Sequence, residues 1–247
     1  MLPFIEIFGG RVYFYPLILG IIWGLSYRLF NSFVEKKRIY FPRVKFFFIC
    51  LFLVSWFFSK VSFYLSSFGQ VTSNLIFETS FWLGGGLVFY GGFIGAALFF
   101  YLYVKYYKLE FTQFSFVPII LSFGHALGRF GCFLAGCCYG DHCDLPWAVY
   151  LHGDSRHPVQ LYESLGLFLL SGILYRLYKN NKSSFIIWTY ILSYAVLRFA
   201  LEFFRGDELR GKFALFSTSQ WISLSIVLIF ISVKGKKIYC FLKNKIH

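Results

Sequence analysis

Residues 114–135 read FSFVPIILSFGHALGRFGCFLA, an apolar stretch whose polar exceptions include His125, Arg129 and Cys132. Its length meets the roughly 20 residues that an α-helix needs to cross the hydrocarbon core of a bilayer. Six further stretches meet the same standard: 13–33, 44–66, 83–104, 159–178, 184–204 and 215–233. The sequence therefore predicts an all-α integral membrane protein, a bundle of seven transmembrane helices that forms a single transmembrane domain over residues 1–247.

The composition agrees with this prediction. Of the 247 residues, 58% are hydrophobic, 24% aromatic and only 14% charged, and the mean hydropathy is +0.64. A soluble domain is far less apolar. Because Glu6 and Arg11 precede the first stretch and no small-residue cleavage site follows it, we expect a retained first span rather than a removable signal peptide.

The basic residues sort by loop, although a net charge of +13 could also indicate nucleic-acid binding. Sixteen of the twenty-four lysines and arginines lie on one side of the predicted bundle, in loops one, three and five and in the C-terminal tail. Lys60 and Arg156 are among the six assigned to the other side. The positive-inside rule then places the N-terminus outside and the C-terminus in the cytoplasm. The charge indicates contact with anionic membrane lipid and no nucleic-acid partner.

Ionisable side chains inside spans usually face a protein interior or a wet cavity. Two spans carry such groups at one-turn spacing, on one face of each helix: His125, Arg129 and Cys132 in the fourth, and Tyr194, Arg198 and Glu202 in the sixth. Two inward arginines suit a phospholipid phosphate, because a planar guanidinium can donate two parallel hydrogen bonds to it. The alternative for Arg198 is a structural ion pair with Glu202.

Two further segments carry polar or small residues near the predicted spans. RHPVQLYE, residues 156–163, leads into the fifth span, where Pro158 suits a helix start. Gln160 and Glu163 then lie just inside the outer boundary, and Tyr162 fits an interfacial anchor. The glycines of GGG at 84–86 and YGGFIG at 90–95 either permit close helix approach or leave room for a ligand.

These motifs, in this order and spacing, resemble the bacterial prolipoprotein diacylglyceryl transferases, seven-span enzymes of the inner membrane. The resemblance runs over residues 90–224, from YGGFIG through GRFGCFLAGCCYG, LPWAV, RHPVQLYE and YAVLRFALEFFRGD to STSQWISL. It implies a multi-pass transferase of lipoprotein biosynthesis. Such an enzyme moves the diacylglyceryl group of phosphatidylglycerol to the lipobox cysteine thiol of an exported prolipoprotein and releases glycerol phosphate. Nothing in the sequence indicates a nucleotide or an organic cofactor.

The resemblance implies roles for five residues. Arg129 matches the signature arginine and Arg198 the essential arginine of the sixth span, so both are expected to bind the phosphate. Tyr194 and Glu202 match further functional positions of that span. We expect Tyr194 to donate a hydrogen bond near the phosphate and Glu202 to orient Arg198. Gly140 matches the glycine that closes the signature motif.

Three residues depart from the family pattern. Tyr90 stands where the family has its proposed base, a histidine, while Cys132 and Cys137 stand at an asparagine and an acidic position. A phenol, with a pKa of about 10, is a poor base at neutral pH, so His125 is the expected base. The predicted substrate-binding residues are Arg129, Arg198, Tyr90, Cys132, Gly140, Gln160 and Glu163.

The cysteines leave several interpretations open, because Cys132, Cys137, Cys138 and Cys143 fall within twelve residues. The thiols could line or tune a transferase site, with Cys137 and Cys138 as catalytic candidates. A relative that binds phospholipid headgroups could instead use Cys137 or Cys138 as a nucleophile or for redox chemistry on another acceptor. Cys137, Cys138 and Cys143 could also form a redox centre. A metal site is a further interpretation, with ligands among Cys132, Cys137, Cys138, Cys143, His142 and His157. It is the least favoured, because the spacing C-x4-CC-x4-C is not usual for zinc, so no metal is predicted. A phospholipid-binding scaffold would need Arg129 and Arg198 but no reactive thiol.

Overall fold

The computed structural model describes residues 4–7, 10–66, 81, 88–206, 212–213 and 215–246. This part of the chain is mostly helical. The α-helices are Phe14–Lys36 (α1), Val44–Ser66 (α2), Phe89–Tyr106 (α3), Val117–Ala135 (α4), Val159–Lys179 (α5), Ser183–Leu201 (α6) and Thr218–Ile246 (α7). Single 3-10 turns, Phe111–Phe114 and Glu202–Phe204, lie before α4 and after α6.

Four helical stretches are long and apolar enough to cross a membrane: Pro16–Lys36, Val44–Ser66, Phe111–Ala135 and Ser183–Phe204. They confirm that the chain is a multi-pass integral membrane protein. Among the described residues, the apolar part of α7, Thr218–Ser232, is shorter, and α5 carries the buried polar residues Gln160, Glu163 and Ser164. The count of seven spans and the orientation of the termini stay predictions.

Three antiparallel hairpins correct the all-α prediction. Phe4–Ile7 (β1) pairs with Gly10–Tyr13 (β2), Val149–Leu151 (β3) with Asp154–Arg156 (β4), and Lys212–Phe213 (β5) with Phe216–Ser217 (β6). Between β3 and β4, His152 and Gly153 both have positive φ, 54° and 80°, as the central residues of a type I′ turn require. Local strand pairing thus satisfies some of the backbone hydrogen-bonding groups in the connections between helices.

The chain divides into two compact units, and the first comprises Met1–Phe30 and Ser115–His247. Its helices α4 and α5 are joined by serine hydroxyls that donate to backbone carbonyls of the facing helix. The bonds run from Ser122 to Leu167 (2.8 Å), from Ser164 to Ala126 (2.8 Å) and from Ser171 to Ile119 (3.3 Å). Such bonds satisfy hydroxyls that have no water partner inside a membrane. The single-domain assignment stays a prediction.

The second unit, Asn31–Phe114, packs α2 against α3 through the glycines of YGGFIG. A Cβ added at Gly91 would lie 2.1 Å from Oγ of Ser62, and one at Gly95 would lie 2.6 Å from Cβ of Phe58. The structure therefore supports close helix approach as the reason for these glycines. Residues 84–86 lie outside the described part of the chain.

Lys60 corrects one detail of the charge assignment, since the sequence analysis counted it with the second loop. It lies inside α2 and is fully buried. Its Nζ donates a hydrogen bond of 2.5 Å to the carbonyl of Phe81 and lies 5.2 Å from the centroid of that ring. A buried ammonium group needs such partners.

Candidate active site

The carboxylate of Glu163 joins the polar residues of α4, α5 and α6. Its side chain is fully buried, and Oε1 lies 3.1 Å from Nε of Arg129. Tyr194 donates its hydroxyl to the same oxygen at 3.1 Å. A buried carboxylate is tolerated only when it is paired in this way. The sequence analysis named Glu163 among the substrate-binding residues, and the structure places it between the predicted residues of two other helices.

His125 lies beside this carboxylate. Its Nε2 is 3.9 Å from Oε1 of Glu163, and its side chain is 10% exposed. The ring packs edge-on against Tyr194, with centroids 5.0 Å apart. The structure therefore brings His125, Arg129, Glu163 and Tyr194 together, although the four come from three helices.

Arg129 is held on one edge of its guanidinium group. Nε faces Glu163, and no group of the described residues accepts a hydrogen bond from its two terminal nitrogens. The side chain as a whole is 16% exposed. Two parallel N–H donors on one plane match the oxygens of a phosphate.

Arg198 forms the ion pair that the sequence analysis considered for it. Its Nη2 lies 2.5 Å from Oε2 of Glu202 and donates to Oγ of Ser219 on α7 at 3.2 Å. Both charged side chains are nearly fully buried, at 6% and 5% exposure. The ion pair and the bond to Ser219 hold the Arg198 side chain in place, and the expected part of Glu202 in the reaction stays a prediction.

The charge balance of this group is positive. Glu163 interacts electrostatically with Arg129, Arg198 and Arg205 as well as with His125, and Glu202 pairs with Arg198. Counted without the thiols, three guanidinium groups against two carboxylates leave one net positive charge when His125 is neutral. An excess of guanidinium groups over carboxylates favours an anion, either the Cys138 thiolate or an anionic ligand.

Gly140 lies where two backbone segments cross. Its N–H donates to the carbonyl of His157 at 3.1 Å, and the next residue, Asp141, donates to Phe204 at 2.9 Å. A Cβ at Gly140 would lie 2.5 Å from both the Cβ and the carbonyl oxygen of His157. This crossing explains why the signature closes on glycine. A direct role of Gly140 in substrate binding stays a prediction.

Gln160 and Arg156 hold the loop between α4 and α5 in place. Gln160 was predicted to bind substrate, but it is only 2% exposed and donates from Nε2 to the carbonyl of Cys137 at 2.7 Å. Arg156, which the sequence analysis missed, donates to the carbonyl of Gly140 at 3.4 Å and stacks over the ring of Tyr139 at 4.8 Å. Its place in RHPVQLYE was the only sequence signal for it.

Three thiols cluster at the end of α4. The Sγ atoms of Cys132, Cys137 and Cys138 all lie within 4.8 Å of one another, and we call these residues the thiol cluster. Cys143 is buried elsewhere, and its sulfur accepts a hydrogen bond from the backbone of Leu145 at 3.4 Å. The grouping therefore includes Cys132, not the Cys143 of the suggested redox centre.

The Cys138 thiol lies near positive charge. Hydrogen bonds from Cys132 and Cys137, followed by the positive charges of Arg205 and Arg129, lower the pKa of the Cys138 thiol well below its usual range. A thiolate is the reactive and metal-binding form of cysteine. The cluster is thus suited to nucleophilic or metal chemistry.

Tyr90 belongs to the second unit, at the start of α3, and is 51% exposed. The residues described above all belong to the first unit. The predicted part of Tyr90 in substrate binding therefore stays a prediction.

Comparisons with known proteins point to one family. A family model described as prolipoprotein diacylglyceryl transferase matches residues 4–234. The phosphatidylglycerol–prolipoprotein diacylglyceryl transferase of Clostridium tetani is 39% identical over 162 residues, which are 61% of this chain and 64% of that protein. The proteins of the same name from Finegoldia magna and Idiomarina loihiensis are 38% and 35% identical, over 62% of this chain and 63% and 61% of their own lengths. The chain thus spans somewhat less than two thirds of these relatives.

Proposed function

Because the chain belongs to the prolipoprotein diacylglyceryl transferase family, we propose that it transfers the diacylglyceryl group of phosphatidylglycerol to the lipobox cysteine thiol of exported prolipoproteins. The proposal places it in the bacterial inner membrane as a single domain of seven spans, with the N-terminus outside and the C-terminus in the cytoplasm. Its partners are then phosphatidylglycerol, the prolipoprotein and membrane lipid.

The observation that carries this proposal is the way Arg129 is held. Glu163 fixes Nε of Arg129 at 3.1 Å, and the terminal edge of the guanidinium is left for a phosphate. Arg198, fixed by Glu202 and Ser219, adds a second positive charge to the same group. A preorganised pair of cations stabilises the charge that develops on the leaving phosphate.

The reaction assigns a role to each polar residue of the site. The acceptor thiol loses its proton, and its sulfur bonds to the glycerol carbon of the lipid. The carbon–oxygen bond to phosphate breaks, and its electron pair stays on the glycerol phosphate that leaves. Arg129 and Arg198 bind that phosphate, and Tyr194, whose hydroxyl donates to Glu163 in the absence of lipid, turns this donor to the phosphate when the lipid binds. His125, which lies beside Glu163 and Tyr194, is the proposed base for the acceptor thiol.

Two other functions are less well supported. The comparisons name only diacylglyceryl transferases, so they do not favour thiol or redox chemistry of Cys137 and Cys138 on another acceptor. A phospholipid-binding scaffold would explain Arg129 and Arg198, but it gives no reason for the thiol cluster beside them.

The transferase proposal is tested with purified protein, labelled phosphatidylglycerol and a lipobox peptide. We expect label on the peptide cysteine, and we expect Arg129→Ala to lower the rate by about 10²–10³-fold, as for loss of a donor that stabilises developing charge. Arg176→Ala is the matched control, since Arg176 is an exposed arginine in the last turn of α5. A folded wild-type protein that leaves the peptide unlabelled would overturn the proposal.

A further inference from the structure

The thiol cluster has a geometry that the roles above do not use. Its sulfurs lie within 4.8 Å of one another, and all three thiols are free. Around a tetrahedral zinc ion, with zinc–sulfur bonds of about 2.3 Å, sulfurs lie about 3.8 Å apart. Small side-chain rotations therefore bring Cys132, Cys137 and Cys138 to ligand distance of one ion.

The backbone keeps the thiols in this arrangement. Gly136 ends α4 with φ of 70°, and Cys138 adopts φ of 59°, which is uncommon for a residue other than glycine. The left-handed conformation of Gly136 lets the N–H of Cys137 donate to the carbonyl of Cys132 at 3.1 Å. The buried Gln160 holds the carbonyl of Cys137 from α5. The backbone turn at the end of α4 and the hydrogen bond from Gln160 thus hold the cluster in place.

The surrounding charges suit a thiolate complex. Zinc with three thiolates has a net charge of −1, and both Arg129 and Arg205 interact electrostatically with Cys138. Guanidinium groups would repel a cation held by neutral ligands, but they stabilise an anionic complex. Sulfur ligands also select zinc over the hard ions magnesium and calcium.

Three ligands leave one coordination position open. Within the described residues, no further histidine, cysteine, aspartate or glutamate joins the cluster, and Cys137 is exposed. Zinc sites with three protein ligands and an open position are typical of catalysis. A thiol that coordinates a zinc ion is deprotonated, and the proposed reaction needs the thiolate of its acceptor.

We propose that Cys132, Cys137 and Cys138 bind one zinc ion whose open position takes the acceptor cysteine of the prolipoprotein. This inference rests on the proposed transferase function and names how the acceptor is activated. The thiol proton passes to water as the sulfur–zinc bond forms. The sulfur then bonds to the glycerol carbon while the carbon–oxygen bond to phosphate breaks, and the electron pair leaves with the phosphate. In this scheme His125 packs beside Glu163 and is not the base.

The first test measures metal content. Reduced, tag-free protein is incubated with Zn²⁺, desalted and analysed by mass spectrometry for zinc. We expect about one zinc per chain, a loss in the variant with Cys132, Cys137 and Cys138 all changed to Ser, and retention in Cys143→Ser. Reduced wild-type protein without zinc would overturn the inference, and so would equal zinc in the triple variant. The wild-type result does not depend on whether that variant folds.

The second test asks whether the acceptor occupies the open position. Co²⁺ replaces Zn²⁺, and the sulfur-to-cobalt absorption is recorded before and after addition of a lipobox peptide. We expect the absorption to rise by about one third as three sulfur ligands become four, and not to change with a peptide whose cysteine is serine. An unchanged spectrum with the cysteine peptide would overturn the assignment.

Transfer measured on the same preparations separates the two proposals. Protein that still transfers lipid at the full rate after a chelator has removed all metal would overturn the zinc assignment and leave the transferase function standing. Protein that binds zinc and peptide sulfur but never labels the peptide would overturn the transferase function, while the metal and thiol site would stand.

Discussion

At the scale of single residues, the pairing of Glu163 with Arg129 carries the stability of the site. We expect Glu163→Gln to lower the free energy of unfolding by about 3 kcal/mol, because it leaves Arg129 without its carboxylate. This loss is at the lower end of the range for breaking a buried ion pair, because the Arg129 side chain is still 16% exposed. Thermal unfolding in detergent measures the change.

Two variants control this prediction. Glu35→Gln changes an exposed carboxylate of α1 and should alter stability by less than about 0.5 kcal/mol. The double variant Glu163→Gln, Arg129→Gln should lose less free energy of unfolding than the sum of the losses in the two single variants. Additive losses would mean that the two side chains do not interact.

Gly140 gives a second prediction at this scale. Gly140→Ala places a Cβ 2.5 Å from the backbone carbonyl of His157, and backbone cannot move aside as a flexible side chain can. We expect a loss of about 1–3 kcal/mol, as for overpacking, in the same unfolding measurement. Gly172→Ala is the matched control, because nothing lies within 4 Å of its Cβ. Equal stability of the two variants would contradict the crossing described here.

The sequence identified most site residues but not their contacts. One-turn spacing placed His125 with Arg129 and Tyr194 with Arg198, since that spacing is a property of any helix. The carboxylate between them, Glu163, belongs to a third helix, so its partners depend on how α4, α5 and α6 pack. The redox interpretation chose Cys143 in place of Cys132 for a similar reason, because the left-handed turns after α4 are not evident from cysteine spacing.

At the scale of elements, the hairpin of β3 and β4 contains a pH-dependent contact. Nδ1 of His142 lies 2.9 Å from Oδ1 of Asp154, and Nε2 lies 3.3 Å from Asp144. The hydrogen bond and the negative charge of Asp154, with that of Asp144, raise the pKa of His142. The hydrogen bond to His142 lowers the pKa of Asp154.

The direction of these shifts sets the pH range of the contact. Because the pKa of His142 is raised by folding, its contact stabilises the hairpin fully at pH values below the pKa in the unfolded chain, about 6.5. The stabilisation is lost as the pH rises through the pKa in the folded protein. Because the pKa of Asp154 is lowered by folding, its contact stabilises the hairpin fully above about pH 4, the pKa in the unfolded chain. The stabilisation is lost as the pH falls through the pKa in the folded protein. We therefore expect the hairpin to be most stable between about pH 4 and 6.5.

Hydrogen exchange of residues 141–156 tests this expectation when the wild type is compared with His142→Gln at each pH. The wild type should exchange more slowly at pH 6, and the difference should shrink by pH 9, once His142 has lost its proton. The comparison cancels the intrinsic pH dependence of exchange. A difference that grows with pH would contradict the assignment.

Helices were easier to predict than hairpins. The fourth span was predicted over 114–135, and α4 covers Val117–Ala135, with Pro118 in its first turn and Gly136 at its end. A long apolar stretch has no other way to satisfy its backbone in lipid. The strands β3 and β4 are three residues each, too short for an alternating pattern to be visible.

At the scale of the whole molecule, orientation in the membrane rests on sixteen of the twenty-four lysines and arginines lying on one predicted side. The helix α5 is the best place to test it. Its polar residues keep it outside the four helical stretches that are apolar enough to span. The sequence nevertheless predicts that it crosses, with residues 136–158 outside and residues 179–183 in the cytoplasm.

Two single-cysteine variants on a cysteine-free background decide between these possibilities. Asp144→Cys replaces a side chain that is 89% exposed, and Asn180→Cys replaces an exposed residue just after α5. A membrane-impermeant maleimide should label the first in intact spheroplasts and the second only after permeabilisation, because the basic residues near α5 are retained in the cytoplasm. Labelling of both in intact spheroplasts would show that α5 does not cross. Labelling of Asn180→Cys alone would reverse the topology and place the thiol cluster on the cytoplasmic side, away from exported acceptors.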